Sequence, residues 1–410
     1  MTTELRVLRP SEWNQWFECL ELAFGGVPEA AEERELLKEL TEPERSLGVW
    51  DGDDVVGTAG AFSFRVAVPG GAVVPAAGIT MVSVASTHRR RGLLTSMMRR
   101  QLDDIRALGE PFAVLTASEP VIYGRFGYGA ASRQMSLTIE KDRLRLEVPP
   151  GTDAVRLRHA KPDEATAACE GVYARLVPDR PGVPAHGPGW ERKPMIDPAE
   201  NRQDASAQQC VLAEVGGQVV GYVNYRIKPA WGPSGPKGTV EVNDLAALDP
   251  AAYAALWRFV FDIDLMTTVV ARNRPVDDPV LHLVTDTRRC NAHVRDSLHV
   301  RLVELGAALE ARAYRGPLDV VFDVEDAFCP WNAGRWRLTA GTKGTATCRR
   351  TEDPADLALS VRELGSAYLG GEALSSLALA GRVRELRPGA LAEASAAFLS
   401  DVAPWLPRGF

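Results

Sequence analysis

Three arginines and a glycine, Arg89-Arg90-Arg91-Gly92, close the segment VSVASTHRRRGLL at residues 82–94. An apolar, strand-like run precedes them and a helical pattern follows. Such a junction can hold phosphate. The first N–H groups of a helix lack partners inside it, and the helix dipole adds partial positive charge. Glycine lets the backbone come close to a ligand, and neighbouring guanidiniums neutralise it. Each contribution is worth about 1 kcal/mol, so a pyrophosphate site needs several to converge. The alternative reading is a helix start with a solvated basic turn, and the run alone does not separate the two.

A second segment, SEPVIYGRFGYG at 118–129, places Tyr123 on a short helix just after an apolar strand. A tyrosine there either faces a reacting group or plugs the gap between helix and sheet, and Tyr128, between two glycines, fits the plug better. The chain ends PWLPRGF, residues 404–410, which is apolar and braced by proline, unlike a frayed tail. The six cysteines form no CxxC pair and the six histidines no HExxH-type spacing, so no metal is expected.

The elements needed to position these residues follow from periodicity. Over the first 140 or so residues, strands are expected at 4–8, 47–50, 55–68, 73–84, 112–117 and 134–139. Helices are expected at 11–24 with Ser11 as cap, at 32–40, from 92 onward, and around Ile122. In the helix from 92, the residues Leu93, Leu94, Met97, Met98, Leu102, Ile105 and Leu108 form one apolar stripe. The sequence GDDVVG at 52–57 returns as GGQVVG at 216–221, each copy leading into a long hairpin. The later copy continues into a helix at 250–265 capped by Asp249, and the matching order of elements favours duplication. After about residue 305 come strands at 318–324, 335–338 and 346–349, then helices at 356–369 and 390–402, which read as a smaller α+β domain.

With this order of elements, the turn resembles the pyrophosphate loop of the GNAT superfamily, R/Q-x-x-G-x-G/A. Arg89-x-x-Gly92-x-Leu94 matches it except at Leu94, where the family has a small residue. The turn, the IYGRFGYG segment and the three-part plan together resemble the Eis (enhanced intracellular survival) family over essentially the whole chain. Further landmarks are NRPVDDP at 273–279, CPWN at 329–332 and YLGG at 368–371.

The resemblance implies a mixed α/β (α+β) fold in three parts. Residues 1–150 would be an acetyl-CoA-binding, catalytic GNAT domain, and 151–304 a second GNAT-like domain without the CoA motif. Residues 305–410 would be a domain like sterol carrier protein that supplies the terminal carboxylate. It also implies CoA contacts at Val82, Ser83, Val84, Arg89, Arg90, Arg91, Gly92, Leu93, Leu94, Thr95, Ser118 and Glu119. Tyr123 would be the proton donor and the α-carboxylate of Phe410 the base. The implied activity is N-acetylation of amines, with aminoglycosides or other polyamines as the family's acceptors and a hexamer as its assembly.

One departure bears on the acceptor. Arg408 and Gly409 stand where aminoglycoside-active members carry an acidic residue, and a cation there would repel a polycation. Glu304 is either an acidic wall for the acceptor or a solvated helix position.

Bulk properties narrow the classes. Net charge is −7 with no basic block, which gives a nucleic-acid partner no support. No signal peptide and no apolar run long enough to cross a bilayer is evident, so a cytoplasmic protein without membrane contact is expected. A reading from another class, a non-catalytic lipid carrier or CoA-sensing scaffold, also fits the three-part plan.

Overall fold

Alternation of apolar residues builds the first sheet around one long hairpin. Asp54–Ala67 and Val73–Val84 pair from Ala67 opposite Val73 to Gly57 opposite Val84. Gly70 and Gly71 turn the chain between them, both at positive φ. In this computed structural model, which describes residues 3–341 and 345–410, the strand order of that sheet is Glu4–Val7, Leu47–Asp51, Asp54–Ala67, Val73–Val84, Phe112–Thr116, Leu298–Leu302 and Gly129–Ala130. Pro184–Ala185 adds to Asp54–Ala67 off this path. The second sheet runs His293–Asp296, Arg133–Glu140, Met266–Arg274, Gly238–Ala247, Gln218–Lys228, Gln209–Val215 and Arg156–Ala160.

Two strands have therefore changed places. Arg133–Glu140 follows the first sheet in sequence but pairs with Met266–Arg274 in the second. Leu298–Leu302 ends the second unit in sequence but pairs with Phe112–Thr116 in the first. A boundary at residue 150 does not divide the sheets from each other.

The third sheet, Ala346–Arg350, Gly334–Ala340, Leu318–Glu325, Leu357–Ser360 and Val383–Glu385, belongs to the C-terminal region. Its core is continuous with one face of the first sheet. Side chains alternate across a strand. Phe112 and Val114 face a cluster with Val300, Phe322, Leu338 and Phe398, while Ala113 and Leu115 pack with Met97, Met98 and Leu102 on the other side. The first sheet is thus held between the helix Leu93–Ala107 and the C-terminal region. A buried ion pair joins them as well, since Arg301 donates to Asp326 at 2.7 and 2.9 Å with both side chains almost fully enclosed.

Some local expectations change. Leu108 lies past the helix end and is 61% exposed, so the stripe stops at Ile105. The segment expected as a helix over 356–369 begins with the strand Leu357–Ser360. Leu357 and Leu359 point inward there with period two, and Ser360 then caps Val361–Ala367. Ser11 lies in a 3-10 turn before the helix Trp13–Ala23 rather than capping it. No helix among the described residues is long and apolar enough to cross a membrane.

Candidate functional site

The strand Val73–Val84 is fully paired on one side and only partly on the other. It meets Phe112–Thr116 in parallel over Ala76–Gly78 and no further. Beyond Gly78 these two strands part, leaving the edge of 79–84 open toward a cleft of about 790 Å³. Val82, Ser83 and Val84 form one wall; Ser118, Glu119, Ile122 and Tyr123 form the other. An irregularity in pairing between Thr58 and Gly60 accompanies the opening. Met81 takes φ +51, and Thr58 Oγ1 donates to its carbonyl at 2.6 Å.

The arginine turn closes one end of this cleft. Arg90 at φ +64 and Gly92 at φ +83 are both left-handed, which gathers backbone N–H groups into an anion-holding concavity. For a non-glycine residue that conformation costs about 1–2 kcal/mol, so Arg90 is held there by its surroundings. Gly92 precedes the 15-residue helix Leu93–Ala107, whose first N–H groups receive no side-chain cap. Arg89, Arg90, Gly92, Leu93, Leu94 and Thr95 all line the cleft. Arg91 does not; its guanidinium turns back to the Thr87 carbonyl at 3.0 Å and braces the loop. Size, cations and free helix amides together fit a pyrophosphate with a long thioester arm.

Tyr123 sits on the single turn Pro120–Tyr123, half-buried, with its ring edge-on to Tyr128 at 6.0 Å. Burial pushes its phenol up to about 12, and the Glu119 charge adds to the rise. Tyr128 is fully enclosed, and its hydroxyl finds no partner among the described residues.

Phe410 lies outside this cleft, against the same strand at the point where it leaves Phe112–Thr116. Thr80 Oγ1 donates to a Phe410 oxygen at 3.1 Å. The Phe410 ring meets the edge of Phe64 at 4.8 Å, in space that Gly78 leaves free. The tail is tied along its length. Trp405 N donates to Pro181 O at 2.8 Å and its indole to Asn273 O at 2.5 Å. Ala403 N donates to Asp277 at 2.8 Å. The NRPVDDP landmark is therefore the tail's anchor.

Beside the tail is a cavity of about 30 Å³, enclosed by Phe64, Tyr173, His186, Trp190, Lys193, Asp244 and residues 407–410. Lys193 Nζ donates to Gly409 O at 3.0 Å. Burial lowers its ammonium to about 8, helped by the Arg408 charge. Glu304 is not near the tail; it pairs with Arg106. Among the described residues, no group of three or more His, Cys, Asp or Glu could hold a metal ion.

Sequence reasoning missed Ala23, Phe24, His88 and Arg125 in the large cleft and every second-unit residue around the tail. No motif marks them, because long-range pairing brings them in. In the second unit, the position of the arginine turn is taken by Asp249, whose carboxylate accepts from Ala252 N at 2.9 Å and fills its own helix start.

A family model of an acetyltransferase (GNAT) domain matches residues 4–131, and a second GNAT model matches 185–302. A sterol carrier protein domain model matches 305–407. An uncharacterized N-acetyltransferase of Streptomyces avermitilis is 68% identical over 410 residues, covering 100% of both chains. N-acetyltransferase Eis of Mycobacterium tuberculosis is 35% identical, covering 87% of this chain and 86% of its own. The crystal structure of Eis1 from Mycobacterium abscessus superposes with a TM-score of 0.84 at 35% identity, covering 100% of both chains.

Proposed function

Since the chain belongs to the Eis family of N-acetyltransferases, we propose that it moves an acetyl group from acetyl-CoA directly to a primary amine, with no covalent enzyme intermediate. The observation that carries this reading is the open edge of 79–84, with the arginine turn and Tyr123 on one side and the docked Phe410 on the other. Val82, Ser83 and Val84 offer backbone groups to the pantetheine arm. Arg89, Arg90 and the amides from Gly92 to Thr95 hold the pyrophosphate, with Ser118 and Glu119 opposite. Arg91 supports the loop.

Tyr123 steadies the departing thiolate. A phenol at about 12 is a far weaker acid than a thiol near 8.5, and full proton transfer between them runs uphill by roughly 5 kcal/mol. Tyr123 therefore acts by hydrogen bonding as charge builds on sulfur. The Phe410 carboxylate receives or orients the amine.

The acceptor carries few charges. Aminoglycosides and other polyamines are the acceptors implied by family, but Arg408 and Lys193 flank the tail and disfavour a dense polycation. The homo-hexamer of the family is proposed as the assembly, and light scattering checks it. Thiol release from acetyl-CoA with a panel of amines tests the activity. Amine-dependent release supports it, and its absence across mono- and polyamines argues for a non-catalytic carrier instead.

A further inference from the structure

His186 reaches the tail cavity from the second unit. Pro184 and Ala185 pair with Val66 and Arg65 on the first sheet, and this docking carries the next residue in beside Phe410. The imidazole is held on two sides. Its Nδ1 lies 2.7 Å from Glu170 Oε2, and its ring stacks on Tyr173 at 4.0 Å and 11°. Tyr173 is itself fixed, donating to Pro184 O at 2.6 Å. A carboxylate on one ring nitrogen sets the tautomer and leaves the other nitrogen as the acceptor, the arrangement of a base with its orienting group.

We propose that His186, positioned by Glu170, is the base that takes the proton from the acceptor amine, while the Phe410 carboxylate positions the amine or an intervening water. This rests on the acetyl-transfer reading above. The amine nitrogen bonds to the acetyl carbon, and the C–S bond breaks with its electrons going to sulfur. The N–H proton passes to Nε2 of His186 directly or through one water, for which about 30 Å³ leaves room. Tyr123 hydrogen-bonds the thiolate, and solvent later takes the proton from the imidazolium. Imidazole suits the task better than a carboxylate alone, because its ordinary pKa lies about three units nearer to that of an amine.

The charged and titratable groups facing His186 are Glu170 and Tyr173 on its supporting helix, Asp244, Lys193, Arg408 and the Phe410 carboxylate. Glu170 and Asp244 favour the imidazolium; Lys193 and Arg408 oppose it.

The test compares wild type, His186→Gln, His186→Ala and Glu170→Gln by thiol release across pH, with acetyl-CoA affinity measured by calorimetry. Wild-type kcat/KM should fall as pH drops through the imidazole range, about 6.5. His186→Gln should lose at least tenfold in kcat near neutrality and lose that acid limb, with acetyl-CoA affinity unchanged. Glu170→Gln should move the limb to lower pH, and added imidazole should restore part of the rate to His186→Ala, which a packing role would not allow. His186→Gln with wild-type rate and acid limb overturns the dyad and leaves acetyl transfer standing. A wild type without amine-dependent thiol release overturns both.

Discussion

At the scale of single residues, Tyr123 and Gly92 make separable predictions. Tyr123→Phe removes a hydrogen bond that matters as charge reaches sulfur, so kcat should fall about 10²-fold with acetyl-CoA affinity unchanged. Steady-state kinetics beside calorimetry checks the split, and a fully active variant would reduce Tyr123 to packing against Tyr128. A phenol at about 12 keeps its proton through neutral and mildly alkaline pH. Its contribution is present below that value and lost only as pH rises through it. The wild-type rate should therefore show no loss from this group up to about pH 10. Gly92→Val acts through backbone rather than space. A Cβ at 92 would meet nothing within 4 Å, yet φ is +83, which side chains with a branched Cβ resist. CoA affinity should drop at least tenfold, about 1.4 kcal/mol, and unchanged affinity in a folded variant would move the pyrophosphate elsewhere.

At the scale of elements, the two copies of the GNAT unit differ where a helix begins. Leu93–Ala107 starts uncapped behind Gly92, whereas Pro250–Asp262 starts with proline and an aspartate that occupies its own amides. The second start repels phosphate, so calorimetry should find one CoA per chain. Two CoA per chain would overturn this difference. That contrast was legible in the sequence because capping chemistry is local. The strand–turn–helix around residues 82–94 was legible for the same reason. The tail cavity was not. Tyr173, His186, Trp190, Lys193 and Asp244 lie far from Phe410 in sequence, and two backbone pairs at Pro184 and Ala185 help bring them to it. Leu357–Ser360 was misread as helix because two leucines in four residues satisfy either period. The NRPVDDP, CPWN and YLGG landmarks were visible as motifs without a role. In the fold they are joints. Asn273 and Asp277 hold the tail, Asn332 Oδ1 accepts from Leu305 N at 3.0 Å, and Tyr368 donates to Ala308 O at 2.9 Å.

At the scale of the whole molecule, the site depends on parts from all three regions. Extending the chain beyond Phe410, or amidating it, should lower turnover at least tenfold while fold and CoA binding stay intact, as circular dichroism and calorimetry would record. Normal turnover in a C-terminally extended enzyme would exclude the terminal carboxylate. The Arg301–Asp326 pair ties the exchanged strand to the C-terminal region in a fully enclosed setting. Arg301→Leu leaves a buried carboxylate without its cation, and urea unfolding should show a loss of about 3–5 kcal/mol. A change under about 1 kcal/mol would mean that Cys329 N and Asn332, which also donate to Asp326, suffice to hold it. The exchange of strands has a further consequence, for the order of events during synthesis. The edge of Phe112–Thr116 is made early, but the strand that covers it, Leu298–Leu302, is among the last pieces of the second unit. At roughly 5–20 residues per second, the ribosome needs on the order of ten seconds to travel from Glu140 to Leu298. For that interval the nascent first sheet carries an open, apolar edge that a trigger-type chaperone must shield or a neighbouring nascent chain can capture. The earliest part of the protein to be made is thus completed only near the end of its translation.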